Sequence, residues 1–241
     1  MRFNYPPLYA YVQVGGLAAS FLLGRAFGWW DGMPPDYPLP HYFQVARGTT
    51  ALIGTLTVLV VYLAGRAFMS SRASFLAATL LGSNYLHITH SHYATLDVAA
   101  GFWTALCLCF SFAWWRRGGV TRGLLAGLCA GLAGAVKYNA ALVAIIPLAI
   151  PFLTWPSARG LAKITFPSAG LVLGFLGGNP FLLMRWDSFL AGISSVLQHY
   201  GTAQPGFEGL HNWQWYLGIL FTSADAPTAA IVQPQPGTAQ Q

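Results

Sequence analysis

Residues 49–65 read TTALIGTLTVLVVYLAG, an uncharged and mostly apolar run that ends at Arg66. A helix needs about 20 residues to cross the hydrocarbon core of a bilayer, and this run with its flanking residues reaches that length. Similar runs recur along the chain, which is 55% hydrophobic and 7% charged, whereas a soluble domain carries about 25% charged residues. We therefore predict an all-α fold, a polytopic membrane helical bundle.

The apolar runs predict about six to seven spanning helices plus one interfacial helix. The interfacial helix follows Pro6 and Pro7 and ends near Gly24, which makes it short for a span. The first full span begins at Arg47. Further spans are predicted at residues 73–88, 98–115, 123–136, 140–155 and 164–184, and another helix starts at residues 213–221.

Three regions follow from this pattern. Residues 1–46 are predicted to form a juxtamembrane helix and loop on the outer face, and residues 47–222 the transmembrane bundle with its outer-face loops. Residues 223–241 are polar and rich in proline, glutamine and alanine, a composition typical of a disordered tail.

The charged residues divide between the two ends of the predicted helices. One set of connections carries seven of the twelve basic residues and no acid: Arg66, Arg72, Arg116, Arg117, Arg122, Arg159 and Lys163. The opposite connections carry all six acidic residues and all six histidines. By the positive-inside rule the basic side is cytoplasmic, so the acids and histidines face outward. The basic residues form no stripe along one face, and we predict no nucleic-acid partner.

The polar stretch at residues 84–97, NYLHITHSHYATLD, lies between two apolar runs and ends in Asp97. A carboxylate at the mouth of an apolar helix is costly to desolvate, so Asp97 is a candidate catalytic residue; the alternative is a cap on the following helix. His90 and His92 supply imidazole groups and Asp97 a carboxylate, both of which bind divalent metal ions, so such an ion is a candidate cofactor. The alternative is local hydrogen bonding. An extended backbone aligns both histidines, whereas a continuous helix places only His90 on the face of Asp97.

Lys137 lies at a predicted outer junction between two helices, where an ammonium group suits a phosphate ligand. The alternative is a lysine that extends its charge toward the membrane surface. The three cysteines, Cys107, Cys109 and Cys129, all lie inside apolar runs. We predict that they pack as small hydrophobic side chains rather than act in redox or metal chemistry.

Several motifs recur in a recognisable order: YPPLY at residues 5–9, VYLAGR at 61–66, SHYATLD at 91–97, GLLAGLCAGLAGAVKYNAAL at 123–142, GNPFLL at 178–183 and QHYG at 198–201. This order resembles the family 39 glycosyltransferases of the C superfamily, which include the protein mannosyltransferases and the aminoarabinose transferase of lipid A. The resemblance covers residues 3–221.

The resemblance implies a polyprenyl-phosphate sugar donor, an outer-face acceptor that is a protein, lipid or glycan, and inversion at the anomeric carbon. In the family, a carboxylate of the first outer loop acts as a base or metal partner. Asp97 matches the second acidic position of the family, and Lys137 matches its lysine at a helix junction. Tyr5 stands where some members have a lysine. The implied substrate-binding residues are Tyr5, Arg47, Lys137, Tyr138, His199 and Tyr200.

We expect the protein in the inner (plasma) membrane, or in another membrane of the same polarity, with its active face extracytoplasmic. The family carries an acidic outer loop before the Pro-Pro segment and further helices after the region matched here, so we expect a chain truncated at both ends. Two alternatives stay open. Outward-facing histidines and acids also suit a proton-coupled transporter or flippase, and the missing acidic loop suits a catalytically inactive fragment.

Overall fold

The computed structural model describes residues 5–29, 39–154 and 157–201, and every regular element in these ranges is helical. The α-helices are α1 Leu8–Ala26, α2 Leu39–Arg66, α3 Ser71–Gly82, α4 Tyr85–His92, α5 Leu96–Arg117, α6 Val120–Val136, α7 Ile145–Thr154, α8 Ala158–Leu161, α9 Thr165–Gly178 and α10 Trp186–Gly201. Short 3-10 helices occupy Tyr138–Ala144, Ala162–Ile164 and Leu183–Arg185. The predicted all-α membrane bundle is confirmed.

The chain divides into two compact units, Met1–Phe189 and Leu190–Gln241. Helices α1 to α9 belong to the first unit. Of the second unit, the described part is the remainder of α10, up to Gly201. The three predicted regions stay a prediction, and the tail at residues 223–241 lies outside the described residues.

Two described helices, α2 and α5, are long and apolar enough to cross a membrane, each with a mean hydropathy of 1.7. Ala162–Gly178 and Leu183–Gln198 add a third if this bent pair is one span. Two more of the six to seven predicted spans coincide with shorter apolar helices, Val120–Val136 and Tyr138–Thr154. The described residues therefore account for part of the predicted number.

Two boundaries differ from the sequence prediction, each for a local reason. The predicted span at residues 73–88 divides into α3 and α4, because the Asn84 side chain caps α4 by accepting a hydrogen bond from the His87 backbone N–H at 3.0 Å. Helix α2 begins at Leu39 rather than at Arg47. Pro40 in its first turn is compatible with this start, since the N–H that proline lacks has no partner within a helix there.

Helices α6 and α9 pack backbone against backbone. A methyl group at Gly127 of α6 would overlap the carbonyl oxygen of Pro167 in α9, and one at Gly174 of α9 would overlap the carbonyl oxygen of Leu128 in α6. Gly131 and Gly170 make equivalent contacts in this interface. Small residues at four-residue spacing let membrane helices approach this closely, which strengthens dispersion contacts between them.

The interface between α5 and α6 contains the cysteines. Cys107 of α5 and Cys129 of α6 are buried in one apolar cluster with Ala130 and Ala144, and Cys109 is partly buried. All three are free thiols. The prediction that they pack as small hydrophobic side chains is confirmed.

The turn between α5 and α6 reverses the chain within two glycines. Gly118 and Gly119 have φ values of 63° and 94°, a backbone conformation that costs glycine little. The Arg116 guanidinium in the last turn of α5 donates to the carbonyl of Ala67, just after α2, and Arg122 donates to the Gly118 carbonyl at 2.9 Å. Basic residues therefore gather at one end of the bundle, and the opposite ends of α5 and α6 carry the candidate site.

Candidate functional site

Asp97 and Lys137 form an ion pair at the end of the bundle opposite the basic turn. The Lys137 Nζ donates to the Asp97 Oδ1 at 2.6 Å, and the two side chains are 27% and 47% exposed respectively. The pair joins the start of α5 to the end of α6 and remains accessible to a substrate. The two residues selected separately from the sequence therefore lie together.

Helix polarity favours this placement of both charges. Asp97 lies in the first turn of α5, where backbone N–H groups give the helix end a partial positive charge. Lys137 caps the C-terminus of α6, where carbonyl groups give a partial negative charge. The N-cap position of α5 belongs to Thr95, so Asp97 interacts with this helix end through its charge and not as the cap.

The backbone at Lys137 interrupts the helical path. Lys137 is extended, with φ −149° and ψ 122°, and the chain continues as the 3-10 helix Tyr138–Ala144. The Tyr138 ring packs edge-to-face on Phe189 with centroids 6.1 Å apart. Tyr138 thus follows the ion-paired lysine directly in sequence, with its ring packed on Phe189.

A cavity of about 200 Å³ adjoins Asp97. Its walls come from three helices: Thr57 of α2, Leu86, His87 and His90 of α4, and Asp97, Val98 and Gly101 of α5. The helical path breaks at residues 93–95, between α4 and α5, yet His90 and Asp97 still line one space. Thr57 lines the cavity, and the sequence analysis missed it. The sequence feature that could have indicated it is the helical spacing of the small residues Thr50, Gly54 and Thr57 along α2.

The histidines of α4 face different surroundings. The His87 Nε2–H donates to the Gly54 carbonyl at 3.1 Å, and the His92 Nδ1–H donates to the Ile88 carbonyl at 2.7 Å. The Nδ1 atom of His90 is buried and has no hydrogen-bond partner among the described residues. Local hydrogen bonding, the alternative to a metal role, therefore describes His87 and His92.

The predicted metal ligands do not share a face. Both His90 and His92 lie on helix α4, so the extended backbone that aligns them is not present. His90 lines the cavity of Asp97, whereas His92 lines a separate apolar groove of about 560 Å³ between α2, α3 and α4. Within residues 5–29, 39–154 and 157–201, no three His, Cys, Asp or Glu side chains come close enough to hold a metal ion. The metal cofactor stays a prediction.

The start of α1 packs near the ion pair. Leu8 and Tyr9 contact the cluster of Ala99, Ala100 and Val136, which are neighbours of the ion pair in α5 and α6. The Tyr9 hydroxyl also forms a hydrogen bond of 2.7 Å with the hydroxyl of the fully buried Thr50. Tyr5, three residues before Leu8, is 53% exposed. It reaches the same end of the bundle without a described contact to Asp97.

Arg47 is a predicted substrate-binding residue that lies apart from the pair. Arg47 is exposed and lines a cleft formed by its own helix, with Leu39, Pro40, Phe43 and Gln44. It lies roughly 15 Å along α2 from Thr57, at 1.5 Å per residue. His199 and Tyr200 lie at the end of α10 in the second unit, and their side chains lie outside the described part of the chain.

An apolar helical bundle with an accessible carboxylate–ammonium pair at one end defines a membrane protein with a candidate catalytic site at a membrane surface. The family model "dolichyl-phosphate-mannose-protein mannosyltransferase" matches residues 41–207, more than half of the chain, and the chain belongs to this family. It is a family of membrane glycosyltransferases of the mannosyltransferase type, so the resemblance seen in the sequence is confirmed. Searches of curated proteins and of solved structures found no match.

Proposed function

We propose that the protein transfers a sugar from a polyprenyl-phosphate donor to an acceptor hydroxyl group at the extracytoplasmic surface of the plasma membrane. A protein hydroxyl group is the acceptor that the family description suggests, with lipid and glycan acceptors as the other classes. The observation that carries the proposal is the Asp97–Lys137 pair, which holds a base and a cation within hydrogen-bond distance at a helix end.

In the proposed reaction the acceptor oxygen attacks the anomeric carbon of the donor sugar while the carbon–oxygen bond to the lipid phosphate breaks. The acceptor proton passes to the Asp97 carboxylate, and the bond electrons leave with the phosphate. Lys137 holds the carboxylate in place through their hydrogen bond and stabilises charge on the departing phosphate. Attack opposite to the leaving group inverts the anomeric centre.

The lengths and charges of the helices support an outer-face site. Helix α5 has 22 residues and is roughly 33 Å long, close to the hydrocarbon thickness of about 30 Å. Asp97 lies at its start, and Arg116 and Arg117 lie in its last turn. Because basic residues favour the cytoplasmic side, the Asp97 end is assigned to the opposite surface.

The other predicted positions take supporting roles in this proposal. The Tyr138 hydroxyl, beside Lys137, binds the sugar or phosphate, and Tyr5 binds donor at the outer end of α1. Arg47 attracts the lipid phosphate from farther out along α2. His199 and Tyr200 flank the donor. A divalent metal ion stays a candidate cofactor, but His90 and His92 line separate spaces and do not fit one shared ion, so no step of the proposed reaction uses a metal.

The test is sugar transfer from a polyprenyl-phosphate mannose donor by the purified protein in lipid nanodiscs. We expect Asp97→Asn to lower kcat about 100- to 10,000-fold, the range of a positioned general base. Asp187→Asn makes the same change to an exposed carboxylate on α10, and we expect it to retain transfer. Undiminished transfer by Asp97→Asn removes Asp97 from the reaction.

A charge exchange separates chemistry from folding. The double variant Asp97→Lys with Lys137→Asp keeps an ion pair but places each group at the opposite helix end. We expect it to recover expression relative to Asp97→Lys alone and yet to transfer no sugar. Restored transfer in the exchanged pair would mean that the two charges only hold α5 to α6.

A further inference from the structure

The cavity beside Asp97 contains an imidazole that the ion-pair chemistry leaves without a role. His90 lines this cavity, and its Nδ1 atom is buried without a hydrogen-bond partner among the described residues. The two other histidines of α4 each have a ring nitrogen bonded to a backbone carbonyl. His90 is thus the α4 histidine whose ring is not held by the fold.

The burial of Nδ1 selects the tautomer of the neutral ring. A buried N–H group without an acceptor costs more free energy than a buried lone pair without a donor. The ring proton therefore belongs on Nε2, at the far edge of the imidazole. Because Nδ1 is sealed from solvent while the residue lines the cavity, this far edge is the polar part of His90 that faces the open space.

We infer that His90 binds a substrate hydroxyl group beside Asp97, with its Nε2–H donating to the hydroxyl oxygen. This inference rests on the proposed function. An ionised carboxylate only accepts hydrogen bonds, and the Nε2–H of this tautomer only donates. A hydroxyl group satisfies both at once, since it donates its proton toward Asp97 and accepts from His90. A phosphate oxygen could accept the hydrogen bond from His90, but it has no proton to donate to Asp97.

The space is adequate for such a group. The cavity of about 200 Å³ equals the volume of roughly six or seven liquid waters at 30 Å³ each. Of the other polar groups in the wall, His87 already donates from Nε2 to the Gly54 carbonyl, and Thr57 donates to the Ile53 carbonyl at 2.8 Å. Among the polar side chains in this wall, His90 and Asp97 are therefore the two that can still form hydrogen bonds with a ligand.

The test compares two amides that replace the imidazole. In His90→Gln the side-chain amide reaches the position of Nε2, whereas in His90→Asn it reaches only that of Nδ1. We expect His90→Asn to lower kcat/KM for transfer about 10- to 100-fold, the effect of one lost hydrogen bond in an enclosed site. His90→Gln should stay within about threefold of wild type. His41→Asn, on α2 and outside the cavity, is the matched control and should retain transfer.

The hydroxyl has two possible sources, and saturation kinetics separate them. If His90→Asn raises the KM for the acceptor and lowers kcat but leaves the KM for the donor unchanged, the hydroxyl group belongs to the acceptor. If it raises the KM for the donor, the hydroxyl group belongs to the donor sugar. Either result supports His90 as a binding residue. A purely structural role for Nδ1 predicts the reverse order of the amides, with His90→Asn active and His90→Gln impaired.

A second variant tests the cavity without altering the histidine. Gly101 lines the same space, and a Cβ atom built there meets no atom within 4 Å, so the side chain of Gly101→Val starts in open space and reduces the cavity volume. We expect at least a tenfold loss of transfer. If His90→Asn and Gly101→Val both transfer at the wild-type rate while Asp97→Asn does not, the inference on His90 is wrong and the proposed function stands. No transfer by wild type, or full transfer by Asp97→Asn, overturns both.

Discussion

Gly127→Ala is expected to weaken the bundle although alanine is the better helix former. The added methyl group would lie 2.6 Å from the carbonyl carbon and 2.7 Å from the Cα of Pro167 in α9. Carbon atoms in contact prefer a separation of about 3.5–4.0 Å, so α6 and α9 must move apart by roughly 1 Å. The obstacle is backbone, which no side-chain rotation removes.

The cost follows from the extent of the interface. A gap of 0.5–1 Å forfeits about a quarter to a half of each dispersion contact, and the contacts at Gly131, Gly170 and Gly174 loosen together with that at Gly127. Overpacking of a well-packed interior costs about 1–3 kcal/mol. Alanine returns up to about 1 kcal/mol through helix propensity. With the full gain from helix propensity, we therefore expect a net loss of up to about 2 kcal/mol in the free energy of unfolding.

The measurement is reversible unfolding in mixed micelles as sodium dodecyl sulfate is added, followed by tryptophan fluorescence. The matched control is Gly177→Ala on α9, where the new methyl group meets nothing within 4 Å. This control should match wild type or exceed it by up to about 1 kcal/mol. Equal stability of the two alanine variants would refute the backbone contact between α6 and α9.

Two further predictions concern the cap of α4 and the topology. Asn84→Ala removes the acceptor for the His87 N–H, so it should cost about 1 kcal/mol of stability and lower the rate of sugar transfer. Asn84→Ser keeps a capping oxygen and should restore most of the stability and most of the transfer. Equal loss in the serine variant would exclude the cap as the cause. In a chain whose native cysteines are replaced by alanine, a membrane-impermeant maleimide added outside intact cells should label Asn139→Cys and not Arg117→Cys, and the opposite pattern would reverse the assigned orientation.

The sequence predicted the class of fold because membrane helices are encoded locally. An apolar run such as residues 49–65 must satisfy its backbone groups internally, so composition and length nearly determine a helix. Helix boundaries depended on smaller effects. The Asn84 cap shortened α3 and started α4, and the start at Leu39 lengthened α2, both through first-turn preferences that a hydropathy profile averages away.

The site was predicted in its parts but not in its assembly. Asp97 and Lys137 were each conspicuous as charges at apolar helix ends, yet they are 40 residues apart in sequence. Their contact depends on the antiparallel packing of α5 and α6 across the Gly118–Gly119 turn, which is a property of tertiary structure. The sequence also did not predict that His90 and Asp97 line one cavity, because this depends on whether the chain between them is helical, extended or broken.

The glycine contact between α6 and α9 also bears on biosynthesis. Synthesis at 5–20 residues per second separates completion of α6 from completion of α9 by roughly 2–8 s. During that interval the glycine face of α6 lacks the helix that covers it in the folded bundle. Asp97 at the start of α5 and Lys137 at the end of α6 are both synthesised before that helix. Both charges of the ion pair are therefore present before the bundle around α6 is complete.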